Sequence, residues 1–410
     1  MALLFGCAIG FSACGAAEED PQSLPKAHID PELGIDTTKV LLSDSMDLAT
    51  KTQVRIPFVK DGLWGYQDTN GVVIVEPIYE SATPFVTGLA IVKTGTGFGL
   101  VDKMGAEVIP PTFGKIEDCG CGVYAIKQEN GYALINKYGK RIDKGTVSSI
   151  VPYGCEEDRI PVRYGKNLGF IDSKGKEVVP FEFDAAEPFF HGVAPARKEG
   201  EKNWRIIGKN GKAINDEQFE MIYPFVEGFG VGMKQNATGQ SKYGVVDSSG
   251  KTIIPFQYAR ITGSFSGEYI ACAAYDPYEI EAKGLPENAN TWFIFDRAGE
   301  KVGETHFTLW DDFSEGLVAA SENDKFGFMD ATGKLVIPFQ YDWVCGFKNG
   351  MAWAGKDDKF GFIDKNGKFV IPMKYTAAND YVFMENDGAI VRDSVNGPRF
   401  FIDKNGKEYR

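Results

Sequence analysis

The stretch Phe360-Gly361-Phe362-Ile363-Asp364-Lys365-Asn366-Gly367-Lys368-Phe369-Val370-Ile371-Pro372 decides the fold, because it is one copy of a phrase that recurs along the chain. The same phrase begins thirty-four residues earlier, at Phe326, and runs to Pro338. Its aspartate marks the register at Asp68, Asp102, Asp172, Asp247, Asp296, Asp330, Asp364 and Asp403, with Asn136 and Gly208 in the equivalent places. Self-similarity at a nearly fixed period means one supersecondary unit copied many times. A thirty-four-residue step alone would suit a helical repeat, but the residue content excludes it. Each copy carries Gly and Pro at set places, and its apolar residues are β-branched or aromatic, bunched in runs of four to six. That is strand chemistry.

Within one copy, Phe326 to Met329 reads as a strand and Asp330-Ala331-Thr332-Gly333 as a tight turn, with Asp in first position and Gly supplying a positive φ. Lys334 to Ile337 is the return strand, which Pro338 is expected to end because it lacks the N–H that a ladder needs. Phe347 and Gly350 bracket a second turn, and Met351 to Ala354 form a third strand. The unit is therefore a three-stranded antiparallel meander, with room for a short fourth strand in the connection. About ten such units make an all-β array, either a superhelix or a ring. The units buttress one another, so the array is read as one body spanning 52–410.

This pattern resembles the WG-repeat family. The naming dipeptide is Trp64-Gly65 in the first unit, followed by Phe98-Gly99, Leu168-Gly169, Tyr243-Gly244, Phe326-Gly327 and Phe360-Gly361. The downstream half, Val336-Ile337-Pro338-Phe339-Gln340-Tyr341-Asp342 and then Phe347 to Ala352, matches as well. The resemblance implies a β-rich repeat, often on exported or surface proteins, and no particular activity. Some units depart from it. Ala133 and Arg205 replace the glycine in two, and neither has the usual proline; the last unit has Phe400 for Gly and ends soon after its turn. That half-unit is expected to be a terminal cap or to complete the first unit.

The chain has 410 residues, 43% of them hydrophobic and 13% aromatic, enough for a continuous core. Its formal net charge of −13 argues against nucleic acid and against electrostatic docking on anionic lipid. The lysines after the turn glycines, such as Lys334 and Lys368, read as solvated turn charge.

The N-terminus reads as an address. An apolar run leads into Phe11-Ser12-Ala13-Cys14-Gly15, followed by Ala17-Glu18-Glu19-Asp20. This is similar to the lipobox of bacterial lipoproteins, in which small residues precede the cysteine that becomes lipidated. The resemblance implies lipidation of Cys14, and the acidic run resembles a surface-export signal. Against it, no Lys or Arg precedes Lys26. Residues 1–14 are taken as a lipoprotein-type signal segment and 15–51 as an acidic, flexible tether.

Chemistry is sparse. The recurring aspartates fit structural turn positions and lack the alternating ligands and bidentate Glu of a calcium loop. Gly244 to Thr252 has the wrong glycine spacing for a phosphate-binding loop and no helix behind it. The three histidines, His28, His191 and His306, are far apart, which leaves metal binding and His-assisted catalysis unsupported. No catalytic, cofactor or metal residue is assigned, and no cofactor is expected. Cys119 occupies the core place held by Phe85, Phe189, Phe313 and Phe347 in other units. Stacking would bring Cys155 near Cys119 or Cys121, and a disulfide with either is open.

Insertions in repeat proteins map to loops on one face, often the binding face. The largest runs from about Asp276 to Asn290, with Tyr278 inside it and Trp292 just beyond; a smaller one runs from Arg197 to Trp204. Tyr278, Trp292 and Trp204 are the binding-loop candidates. The expectation is a non-catalytic protein that binds a protein or glycan at the bacterial cell envelope, probing no nucleic acid and meeting the membrane through a lipid anchor alone, as an outer-membrane or surface lipoprotein. The alternatives are a glycan-active enzyme using acids such as Glu187, Glu227 or Glu315, and a structural spacer of an envelope complex.

Overall fold

A computed structural model describes Leu33, Ile35 and residues 53–409, apart from 153, 266, 287–288, 377–382, 385–387, 395–396 and 398–399. The signal segment with Cys14 lies outside the described residues, as does most of the segment read as a tether.

The quoted phrase sits in a sheet of four antiparallel strands, Trp343–Val344, Met351–Lys356, Lys359–Asp364 and Phe369–Thr376, ordered as in the sequence. The short strand in the connection is therefore real, and it leads each complete unit. Asn349 and Gly350, both at positive φ, close the first hairpin, with Lys348 and Met351 exchanging backbone bonds of 2.8 and 3.2 Å. Positive φ at both central residues matches the twist of the flanking strands. The third turn is held by Asp364, whose Oδ1 accepts the backbone N–H of Asn366 and of Lys368, each at 2.9 Å. Asn136 does the same for Tyr138 and Lys140 at 3.0 Å, which explains how an amide replaces the acid there.

Pro372 does not end its strand. Phe360 pairs with Tyr375 and Phe362 with Ile371, so Gly361 alone faces the three residues from Pro372 to Lys374, and Pro372 lies in the bulge. The bulged strand is at the sheet edge, where a missing N–H costs no ladder bond. The bulge pushes backbone towards the strand beside it. A Cβ on Gly361 would stand 2.5 Å from the Ile371 carbonyl oxygen; on Gly327 it would stand 2.3 Å from that of Ile337. The glycine and the proline of the repeat are thus two sides of one contact. The units with Ala133 and Arg205 also lack the proline, and their fourth strands are reduced to isolated bridges such as Ile135 with Arg141 and Ile207 with Ala213.

Eight of the nine sheets hold one unit each, and the six-stranded sheet holds two, giving ten. Each unit is sandwiched between neighbours, so its middle strands are buried on both faces. Phe362 and Ile363, on opposite faces, are both buried. This is why the apolar residues come in runs rather than alternating. The core is distributed over the junctions: Tyr66 and Tyr79 of the first unit pack on Ala90 and Val92 of the second, and so on to Phe360 and Tyr375 of the ninth against Val391 and Ile402 of the tenth. Strand Ile56–Lys60 of the first unit lies against Phe400–Asp403 of the tenth. The array is a closed, propeller-like ring. The last half-unit completes its own sheet with Phe383–Met384 and Gly388–Val391, and does not complete the first unit.

Two residues of the segment read as a tether belong to this body. Leu33 and Ile35 are buried in the junction of the second and third units, with Leu89, Leu100, Ile116 and Tyr124. One junction is also covalent. Cys121 and Cys155, thirty-four residues apart, form a disulfide with a Cα–Cα distance of 5.7 Å, and Cys119 remains a thiol. Cys119 takes the core place of the phenylalanines: it is fully buried, and burial pushes its thiol pKa up.

Candidate functional site

The seventh unit carries the longest insertion. In most other units the second and third strands are joined by two residues, as by Asn323 and Asp324, while longer joints lie between Lys198 and Arg205 in the fifth and between Gln235 and Ser241 in the sixth. In the seventh unit, Tyr269–Ala273 and Trp292–Asp296 are separated by an insertion that contains the helix α1, Pro277–Lys283. Its start is capped by Asp276, whose side chain accepts the N–H of Glu279 at 2.7 Å, and Pro277 sits where no N–H is missed. Gly284, in the left-handed conformation, ends it.

The helix leans on the preceding unit. Glu279 meets Lys242 of strand Ser241–Asp247 at 3.3 Å and Lys283 of its own helix at 3.5 Å. Burial works against ionisation of Glu279, but the Lys242 ammonium, with Lys283 beyond it, holds its carboxyl below the usual range. Between helix, neighbouring hairpin and sheet lies an open cleft of about 600 Å³. Its cationic members are Lys242, Lys283 and Lys301; its neutral polar members are Gln240 and Gln257. Four rings, Tyr258, Tyr275, Phe293 and Phe295, with Ala274, form the rest of the lining. The Lys283 ammonium stands 5.0 Å from the centre of the Tyr275 ring, and that of Lys301 4.8 Å from Phe293. Gln257 donates to the Tyr258 hydroxyl at 3.1 Å. Lys301 is also paired with Glu304, so three ammonium groups meet two carboxylates around this concave surface, an excess that can favour an anion on a chain of net charge −13, with amides and a phenol to pair with neutral polar groups.

The three aromatic candidates fall in different settings. Tyr278 is 81% exposed on α1, next in the chain to Glu279 and outside the cleft lining. Trp292 is in a strand, not a loop: it is 1% exposed, under the Arg260 guanidinium at 5.2 Å, and packs in the junction of the seventh and eighth units. Trp204 is half-buried, with Arg197 5.6 Å from its ring, and packs in the junction of the fifth and sixth. A smaller hollow of about 270 Å³ beside it is lined by residues that include Lys202, Asn203 and Glu220. Lys242 and Lys301 were not singled out by sequence. The signal that could have found Lys242 is that an insertion in one unit must lie on a neighbour.

The acids considered for catalysis are mostly engaged between units. Glu315 accepts the backbone N–H of Gly350 with both oxygens at 3.1 Å and pairs with Lys365 at 3.1 Å. Glu227 pairs with Arg297. Glu187 is raised by burial alone. Among the described residues there is no group of three or more His, Cys, Asp or Glu able to hold a metal, and no helix long and apolar enough to cross a membrane.

The model of the WG containing repeat matches residues 64–95, 98–140, 169–201, 243–271, 326–360 and 360–392. The chain belongs to the WG-repeat family. No curated protein matches it in sequence. Among solved structures, one described as the eukaryotic initiation factor covers 88% of this chain and 96% of its own at 11% identity and a TM-score of 0.48. Apo AztD from Citrobacter koseri covers 87% and 93% at 12% identity and a TM-score of 0.32. At such scores neither speaks to what this chain binds.

Proposed function

We propose that this protein is a non-catalytic binding module of the bacterial cell envelope, held at the outer membrane or cell surface by a lipid on Cys14, and that it takes its ligand in the cleft beneath α1. The observation that carries the binding part is the longest insertion in the repeat: it folds into a capped helix, lies over the neighbouring unit and borders a concave, cationic surface. A spacer would have no use for it. The address rests on Phe11 to Cys14 and the acids that follow.

The test is retention on the full chain, immobilised through a C-terminal tag and exposed to solubilised envelope and surface glycans. Specific retention of one protein or glycan, lost in a Lys283→Gln, Lys301→Gln double variant, supports the reading. Retention that the double variant leaves unchanged removes the cleft from it, and no retention by a folded chain removes binding. Metabolic labelling with a fatty acid tests the anchor: label that persists in Cys14→Ala would sink it.

A further inference from the structure

Resting on that reading, we infer that the cleft ligand is an acidic saccharide, a chain of sugars bearing carboxylates, and that Glu279 occupies the place of one ligand carboxylate when the cleft is free. The cations select the charge. Lys242, Lys283 and Lys301 all line the cleft, the first two paired with Glu279 and the third with Glu304, which leaves three ammonium groups against two carboxylates. The uncharged part selects the sugar. An apolar peptide side chain needs a dry pocket, yet the rings of Tyr275 and Phe293 each carry a lysine ammonium over one face. What remains is an open surface with Gln240, Gln257 and the Tyr258 hydroxyl, donors and acceptors suited to a ligand dense in hydroxyls. On the same helix the exposed ring of Tyr278 is free to lie against the C–H face of a sugar.

The placeholder follows from geometry. The Glu279 oxygens lie 3.3 and 3.4 Å from the Lys242 Nζ and one lies 3.5 Å from that of Lys283. A tight ammonium–carboxylate bond is about 2.7–2.9 Å. Glu279 therefore holds two cations loosely in a position that a better-placed carboxylate could take over.

The experiment is calorimetric titration of the full chain, with trigalacturonate, a neutral trisaccharide of the same length and an oligoglutamate as probes. The expected result is binding of trigalacturonate that weakens with salt. It should weaken about five- to ten-fold in Lys283→Gln, Lys301→Gln, as loss of two partly exposed charge contacts implies. It should strengthen in Glu279→Gln, with the neutral probe bound weakly in all forms. Equal affinity for the neutral trisaccharide overturns the charge selection. Oligoglutamate bound better than trigalacturonate overturns the saccharide. An unchanged or weakened affinity in Glu279→Gln, with the fold intact by circular dichroism, overturns the placeholder. In each of these cases the binding module stands if envelope retention persists; loss of retention as well would take both down.

Discussion

Replacing Gly327 by alanine adds one methyl group where the bulged edge strand crosses. The new Cβ would lie 2.3 Å from the Ile337 carbonyl oxygen, 2.8 Å from the Pro338 carbonyl carbon and 2.9 Å from its oxygen. Real Cβ atoms do not approach backbone that closely, so the strand Leu335–Tyr341 must move outward. Overpacking of this kind costs about 1–3 kcal/mol. Against it, alanine narrows the unfolded ensemble and returns about 0.4–1 kcal/mol where the backbone conformation suits it, as it does here, since Gly327 has no positive φ. The net expectation is a destabilisation of about 0.5–2 kcal/mol, read as a lower denaturant midpoint at unchanged slope. Gly114→Ala is the control, because a Cβ there meets nothing within 4 Å and its φ is not positive; it should stay within about 0.5 kcal/mol of the parent. Equal midpoints for the two variants would refute the claim that the repeat's glycine exists to clear its proline bulge.

Three further outcomes are expected. Removing the disulfide by Cys121→Ser should cost about 4 kcal/mol, the chain-entropy value for a loop of this length, and peptide mapping without reductant should recover Cys121 linked to Cys155; a Cys119 link instead would contradict the pairing. Ile35→Ala empties a fully buried site and should cost about 2–5 kcal/mol, less if the segment simply detaches; thermal unfolding indistinguishable from the parent would mean that Leu33 and Ile35 do not belong to the core. Acid should loosen the turns. Backbone N–H groups, that of Lys368 first, hold the Asp364 carboxyl below its ordinary range, and that of Val72 does so for Asp68. A folded pKa below the unfolded value of about 3.9 means that this stabilisation is complete above the unfolded pKa and disappears as pH falls through the folded one. Asp364→Asn keeps the acceptor, as Asn136 does, and should flatten the acid limb of a stability–pH curve; an unchanged limb would count against the turn aspartates as its source.

What the sequence made legible was local. The Asx turns, the positive-φ hairpins and the strand runs depend on neighbours a few residues away, and their spacing counted the units. Pro338 misled because its effect depends on where the strand lies in the sheet: at an edge a proline is absorbed in a bulge. The partner of Cys155 was open because Cys119 and Cys121 are two residues apart, and only the hairpin geometry, with Cys121 at positive φ, separates a core thiol from a bridging one. Leu33 and Ile35 stand in a polar stretch with no periodicity, so nothing marked them as core. The insertion announced an exposed aromatic residue in Tyr278 but not the cleft beside it, while Trp292, two residues past the loop, proved to be strand. Lys242 and Lys301 look like any other charge on a hairpin until the ring sets them against α1.

The docking of Leu33 and Ile35 has a mechanical consequence. A pull on the chain upstream of Leu33 does not reach the seam between the first and tenth units first. It enters the wall of the ring at the second and third units, and the third is riveted to the fourth by Cys121–Cys155. Under load the two apolar side chains must be extracted from the core before force passes down the chain to Gln53. The segment thus acts as a strain relief, sparing the one joint of the ring that is closed by contact between the two ends of the repeat array.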